Sequence, residues 1–427
     1  MSALDWKKNT ALFLGGQTLS LFGSMLTQFA IMWHITLATK SGAVMTLYVV
    51  VGVLPMFFMS PFGGVWADRF NRKRLINLAD GGIAFVTLVT AVVFAAGCRE
   101  LWLLFVCAAV RALGQGVHSP AVNAFIPQIT PAEHLSKVNG INGSIQSCSM
   151  IAAPMASGAL LTFVPLEMIF LIDVVTAAAG ITVVCFLVKI PAASASATTP
   201  ALSPASSSAP SSAPSPASSS APVMAPAASG VDYFHDMREG FRYAFGQGFI
   251  KRLIIISIVF HIVLAPVAFL SPLQVARNFG GDVWRLTATE IAFSAGMTVG
   301  GIVIGFWGGF KNRIYSLALA NALLGAGTMT LGLAGDFRLY VSVMLFLGLV
   351  LPLYNTPALV LFQTRVDPAY MGRVFGVFAM AGSLMLPAGM LLFGPLGDVV
   401  NIDWLMLASG GVMFLLAVPF VASKVLR

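Results

Sequence analysis

The residues best placed to do chemistry in this chain are the few polar ones stranded inside long apolar runs. Arg111 lies about ten residues into a run that begins near Leu101, roughly 15 Å deep at 1.5 Å per residue. A guanidinium in such surroundings needs an anion, backbone carbonyls or water, so Arg111 reads as functional, with a structural ion pair as the plain alternative. Asp80, Asp173 and Glu290 are carboxylates in similar settings. The chemistry open to them is pairing with a cation or taking up and releasing a proton. Asp80 stands about 9 Å into its run, close enough to an end for a purely structural role, and Asp173 about 10 Å into its own, where pairing or proton binding is open to it. Glu290 follows Thr287 in a Thr-x-x-Glu spacing that is also a capping box, so cap and coupling carboxylate both stay open. Gln17, Gln28 and His261 are uncharged candidates. Glutamines facing lipid are costly, so they are expected to meet another helix or a water-filled cavity. A lone histidine is more often packed than a relay.

Other chemistries lack their residues. His34, His118, His134, His235 and His261 form no H-E-x-x-H or similar array, which argues against a metal site and against an enzyme. Cys98, Cys107, Cys148 and Cys185 are scattered, with neither metal spacing nor a disulfide framework. No G-x-x-x-x-G-K-[ST] occurs. No cofactor and no metal are expected.

The elements that must position these residues follow from composition. Of 427 residues 58% are hydrophobic and 9% charged, against about a quarter charged in soluble proteins. Lipid must therefore cover much of the surface. Spanning helices need about 20 mostly apolar residues, and twelve such segments are expected near 10–37, 43–67, 75–96, 101–119, 138–164, 166–188, 253–273, 288–308, 314–334, 339–360, 373–396 and 403–422. Continuous rather than alternating apolar runs favour helices over a barrel. The first run is too long for a signal-peptide core and reads as a retained helix.

The net charge of +8 is placed for a bilayer rather than for nucleic acid. With twelve crossings, Lys40, Arg99, Arg277, Arg285 and Arg338 fall on one face and Arg111 within a span, while the other Lys and Arg fall on the opposite face. By the positive-inside rule that face is cytoplasmic, and both termini lie there.

The basic residues concentrate in Gly64–Arg74, GVWADRFNRKR, between the second and third segments. Gly64, Trp66, Asn71 and Arg72 recur at the same spacing as Gly305, Trp307, Asn312 and Arg313. A second match follows in each half. Pro-Ala-x-x-x-Phe (Pro120 to Phe125, Pro357 to Phe362) is placed after helices 4 and 10, then a basic-Val-x-Gly turn (Lys137 to Gly140, Arg373 to Gly376) before helices 5 and 11. Two matches in the same order indicate a duplicated unit, six helices each, in parallel repeat about an axis along the membrane normal. Asp68 has no acidic counterpart: Gly309 stands there, so the halves are not expected to gate alike.

Residues 191–230 are almost all Ala, Ser, Pro and Thr, which cannot build a core and read as a disordered cytoplasmic linker. Residues 231–248 alternate Phe and Tyr with charges, the pattern of a helix on the membrane surface. The division is then 1–190 and 249–427 for the two bundles, giving an all-α membrane protein of twelve transmembrane helices in two pseudo-symmetric six-helix bundles.

GVWADRFNRKR resembles the signature loop after helix 2 of the major facilitator superfamily, and RALGQG with Arg111 resembles that family's helix-4 arginine motif. The glutamine spacing after Arg111 departs from the common form, and the helix-5 antiporter motif is only partly present around Pro154 and Gly158. GGQTLSLFGSMLTQFAI, VHSPAVNAFIP, IDVVTA, TATEIAFSAGMTVGG and GRVFGVFAMAGSLMLPAG look most like bacterial macrolide-efflux and related drug exporters. The resemblance implies a gate formed by Gly64, Asp68, Arg69 and Arg72 beside the amino end of helix 11, with Lys73, Arg313 and Arg373 in the same basic set. It implies proton coupling at Arg111, beside which Asp80, Asp173 and Glu290, read from the residues above, are the candidate carboxylates. It implies a central cavity lined by helices 1, 2, 4, 5, 7, 8, 10 and 11, for which Gln17, Gln28 and His261 are candidates. The expected protein is a monomeric inner-membrane exporter whose partners are an amphipathic small molecule, protons and the bilayer. An endogenous siderophore, peptide or lipid is the alternative cargo.

Overall fold

The computed structural model describes residues 3–189, 242–243, 245–366 and 371–422, with residues 3–5, 132, 136, 363 and 371–383 as backbone alone. The Ala/Ser/Pro linker, most of the amphipathic 231–248 segment and the side chain of Arg373 lie outside that description.

Twelve helical spans follow in order: α1 (Ala3–Thr39), α2 (Gly42–Arg69), α3 (Arg72–Ala95), α4 (Leu101–Ile129), α5 (Leu135–Phe163) and α6 (Leu166–Leu187), then α7 (Gly248–Asn278), α8 (Val283–Trp307), α9 (Arg313–Leu333), α10 (Phe337–Arg365), α11 (Met371–Val399) and α12 (Ile402–Ala422). Ten of them, among the described residues, are long and apolar enough to cross a bilayer. Of the other two, α5 is diluted by Asn139, Asn142, Gln146 and the spaced Ser144, Ser147 and Ser149, and α11 is apolar over its described stretch Leu384–Val399.

The pairing of helices carries the duplication. α2 packs on α4 as α8 packs on α10, α3 on α4 and α6 as α9 on α10 and α12, and α1 on α5 as α7 on α11. The bundles meet through α2 with α11 and α5 with α8, which exchange under the same repeat. Without a hydrophobic force between helices in lipid, such packing depends on close backbone approach at small residues. At Gly63 a Cβ would stand 2.4 Å from the Gly116 carbonyl oxygen, and at Gly158 it would stand 1.7 Å from Thr287 Oγ1. Those two sites seat α2 on α4 and α5 on α8.

Three expectations are corrected. The Pro-Ala-x-x-x-Phe repeats do not follow helices 4 and 10; they lie inside α4 and α10, where Ala121, Phe125, Ala358 and Phe362 are all buried. Pro120 cannot donate to the Gly116 carbonyl four residues back, and that carbonyl is the one packed against Gly63. The basic-Val-x-Gly segments likewise form the first turns of α5 and α11 rather than connecting turns. Thr287 is not a helix cap either. α8 starts after Asp282, which holds the N-cap position without a side-chain capping bond, and the Thr287 hydroxyl donates to the Val283 carbonyl at 3.0 Å.

The hydrophobic clusters show how the halves meet. At the end carrying the Gly64–Arg74 hairpin, Phe13, Ala67, Ile76, Phe125 and Val184 cluster with first-bundle residues only, among those described. At the opposite end, Trp33, Met45 and Val49 of the first bundle join Val263, Val267 and Leu270 of the second in one continuous core.

Candidate functional site: a buried ion pair at the edge of a central cavity

Between the Trp33 layer and the hairpin end lies a cavity of about 300 Å³. Leu21, Met25, Met32, Val49, Val53 and Met56 give it an apolar wall, and Ser24, Gln28, Arg111 and Gln115 its polar points. The second bundle contributes Phe269, on the π-helical turn Pro266–Leu270 of α7. A proline inside a helix removes one ladder bond, and the wider turn there re-aims the side chains that follow.

Arg111 is 7% exposed and is held by three neighbouring helices. Its Nη1 donates to Asp173 Oδ2 on α6 and to Thr87 Oγ1 on α3. Its Nη2 donates to the Ser24 hydroxyl and carbonyl oxygen on α1, at 2.8 and 3.1 Å. Asp173 is 1% exposed. Gly23 makes the approach possible, since a Cβ there would fall 2.0 Å from Thr176 Oγ1 and 3.2 Å from the Asp173 Cα. A charged pair so deep is maintained only with its remaining donors and acceptors satisfied. Thr87 and Ser24 supply that, while one edge of Arg111 reaches the cavity.

Arg111 and Asp173, read separately in the sequence, are thus one unit. Asp80 belongs elsewhere, facing His118 Nε2 at 3.3 Å between α3 and α4. Glu290 is half-buried on α8, with no hydrogen bond or ion pair among the described residues. Of the glutamines, Gln28 lines the cavity, whereas Gln17 is buried without a partner for its Nε2 and does not. His261 does not line it either; its Nδ1 lies 2.7 Å from the Ser257 carbonyl and its ring meets Phe260 edge-on. Nothing in the sequence singles out Ser24 and Thr87. A Ser and a Thr within apolar runs carry little signal until the packing of α1 and α3 on α4 is known.

At the hairpin, Arg72 joins three helices. Its Nε donates to the Ala67 carbonyl at 2.8 Å, its Nη1 to the Ala124 carbonyl of α4 at 2.9 Å, and its Nη2 reaches Asp68 at 3.4 Å. Lys73 donates to the Cys185 and Val188 carbonyls, each at 2.8 Å, at the end of α6. A cation there suits the negative end of that helix. Gly64 faces open space, Arg69 is exposed, and the Asp68 side chain is 74% exposed. In the second hairpin, Arg313 is half-buried and its side chain has no partner among the described residues.

The family model of the Major Facilitator Superfamily matches residues 13–390. Macrolide efflux protein A of Streptococcus pyogenes is 28% identical over 417 residues, covering 97% of this chain and 95% of that protein. Among solved structures, a POT family transporter in complex with a thioalcohol-conjugated peptide superposes with TM-score 0.68 at 11% identity, covering 96% of this chain and 95% of that one. A D-xylose–proton symporter superposes with TM-score 0.65 at 13% identity, covering 96% and 97%. Such low identities speak for the fold alone. The matched span of the family model, the duplicated six-helix bundles and the cavity between them lead to one assignment: the chain is a multi-pass membrane transporter belonging to the major facilitator superfamily.

Proposed function

We propose that the protein exports bulky amphipathic molecules, macrolides among them, in exchange for protons, by alternating access of the cavity between its two bundles. The observation that carries this is the Arg111–Asp173 pair buried at the cavity edge. The likeness to macrolide efflux protein A supports the cargo class. The apolar wall, with Met25, Met32 and Met56, suits a large and variable ligand because thioethers repack easily.

With the basic face inward, the hairpin end and both termini are cytoplasmic, in the inner membrane. A proton from outside reaches Asp173 and neutralises it. Arg111 then loses its anion and turns towards the cavity, which becomes unfavourable for an apolar or cationic guest. The guest leaves outward, the bundles rock back, and loss of the proton to the cytoplasm restores the pair. Arg72 and Lys73 tie α2, α3, α4 and α6 at the hairpin so that the first bundle moves as one body. The bundles at 1–190 and 249–427, joined by the linker at 191–230, are its two moving parts, and a monomer suffices.

The test is macrolide efflux from proteoliposomes under an imposed pH gradient, with wild type, Arg111→Ala and Asp173→Asn. Gradient-driven efflux by wild type, lost in both variants, is expected. Equal rates in all three would remove the pair from the mechanism, and wild-type efflux indifferent to the gradient would remove proton exchange.

A further inference from the structure

Away from the cavity, at the end opposite the hairpin, a set of polar contacts crosses from one bundle to the other around Asp398, in the last turn of α11. Its Oδ2 accepts from the Ser41 hydroxyl at 2.7 Å and the Ala43 amide at 2.9 Å. Its Oδ1 accepts from the Gly42 amide at 2.7 Å and from Arg277 Nη2 at 2.8 Å. Arg277, on α7, holds the carboxylate from behind through the Gly397 carbonyl at 2.6 Å. It also reaches across to the Lys40 carbonyl, its Nε at 3.1 Å. Lys40 has φ +47°, alone among the described non-glycine residues in the left-handed region. A side chain there is strained, and the strained turn is the one whose carbonyl meets Arg277.

The first turn of α2 contains no acid of its own. A helix start exposes unpaired amides and positive charge, and favours an anion. Here the anion comes from the other bundle. Beneath it the backbones touch: a Cβ at Gly42 would stand 2.2 Å from the Gly394 carbonyl oxygen, and Thr46 Oγ1 donates to the Met390 carbonyl at 3.0 Å. Below that lies the Trp33 layer, with its indole Nε1 buried and unpartnered. The contacts of Asp398 and Arg277 to residues 40–43 and those of Gly42 and Thr46 to α11 are all lost if the bundles part at this end, whereas Arg277 stays with Asp398 inside the second bundle.

We infer that Asp398, held by Arg277, is the latch that closes the outer end, and that it sets the share of the cycle in which the cavity faces the cytoplasm. The direction, outer and inner, rests on the export reading above; the latch itself does not. Losing even one charge-assisted hydrogen bond changes an equilibrium constant about tenfold, so Asp398→Ala should raise the open-to-closed ratio at the outer end at least about tenfold. Asp398→Glu, which keeps the charge, should recover part of the closed state. Exchanging the pair as Asp398→Arg with Arg277→Asp should not, because a cation then meets the positive end of α2.

The experiment measures the distance between spin labels at Glu100→Cys and Arg338→Cys, both on exposed outer turns, in full-length protein in nanodiscs. The four native cysteines are first replaced. A longer-distance population in Asp398→Ala, smaller in Asp398→Glu and undiminished in the exchanged pair, is expected. Distances like wild type in Asp398→Ala, with or without lower thermal stability, would overturn the latch and leave Asp398 as packing only. In proteoliposomes the same variant should raise the macrolide concentration giving half-maximal efflux, since fewer molecules present the loading state. If wild type moves no macrolide, the export reading fails while the label distances still decide the latch.

Discussion

At the level where the first bundle holds Thr87 and Arg111, the second holds Thr328 and Gly348. The correspondence follows from the repeat: Asn71-Arg72 and Asn312-Arg313 open α3 and α9, and Pro120 and Pro357 fix the register of α4 and α10. The threonines behave alike, Thr87 donating to the Ile83 carbonyl at 2.9 Å and Thr328 to the Leu324 carbonyl at 2.8 Å. The arginine and the glycine do not. Where Arg111 reaches three helices through polar groups, a Cβ at Gly348 would lie 2.1 Å from the Phe293 carbonyl oxygen of α8. At the same depth of α12, counting from its start as Asp173 is counted in α6, stand Ser409 and Gly410, and Gly410 presses on Gly325 and Met329 of α9. One ancestral bundle has thus kept or acquired a charged centre, and the other is closed by backbone contact. A charged centre has two states; a glycine contact has one. On the reading proposed above, the first bundle does the coupling and the second is the rigid body it works against.

The widest difference should appear when each centre is broken. Asp173→Ala leaves Arg111 buried and unpaired, and should cost about 3–5 kcal/mol. The check is the thermal unfolding midpoint in detergent, which should fall steeply. Replacing both partners, as Arg111→Met with Asp173→Leu, should restore most of that midpoint while efflux stays absent. Were the double variant to transport under a pH gradient, the first bundle's claim to coupling would end.

In the second bundle the corresponding change is steric. Gly348→Ala forces α8 and α10 apart and should cost about 1–3 kcal/mol. Gly52→Ala, on α2 with nothing within 4 Å of the added atom, should be silent or slightly stabilising. Both are read from the same unfolding midpoint. Efflux per folded molecule should survive in Gly348→Ala; a loss out of proportion to stability would mean that the second bundle also changes shape in the cycle.

The hairpins sharpen the contrast on a smaller scale. Arg72→Ala removes the contacts to Ala67, Ala124 and Asp68 and should cost about 1–2 kcal/mol, lessened by its partial exposure. Arg313→Ala, without a partner to lose among the described residues, should stay within about 0.5 kcal/mol. Similar losses in the two would show that the repeated sequence matters for its charge and not for its contacts.

Much of this fold was legible in the sequence because its signals are local. Twelve apolar runs, two hairpins of matching spacing and a one-sided distribution of Lys and Arg each follow from a short stretch. The family followed from the same stretches. The site was legible only in its members. Arg111 and Asp173 each stand out as charges among apolar residues, but their pairing depends on α6 docking against α4 through α3, and on Gly23 letting α1 close in. Asp398 was hidden differently: at the end of an apolar run it reads as an ordinary loop charge, and only the meeting of α2 with α11 gives it Ser41, Gly42 and Ala43 as partners beside Arg277 of α7. Pro120 and Pro357 misled, because a proline usually marks the end of a helix. Here Pro120 sits where α4 packs on α2, and the helix continues through it.

The smallest effect separates the hairpins most finely. Asp68 has its counterpart at Gly309, so Gly309→Asp would seem to repair the repeat. The backbone forbids it. α2 runs on to Arg69, and Asp68 sits in its last turn, one turn from Arg72. α8 instead stops at Trp307, and Gly308 and Gly309 take φ +72° and +79° to turn the chain into α9. A side chain in that region costs roughly 1 kcal/mol. A Cβ at Gly309 would also stand 2.9 Å from Ser316 Oγ, the group that accepts from the Phe310 amide. Gly309→Asp should therefore lower the unfolding midpoint by a few degrees in a thermal scan and gain no stabilising pair. The glycines of the second hairpin end a helix three residues earlier than the first does, so the missing acid reflects a different chain path. If Gly309→Asp were instead stabilising, the second loop would have to be able to adopt the path of the first, and the difference between the halves would lie in one residue rather than in their backbones.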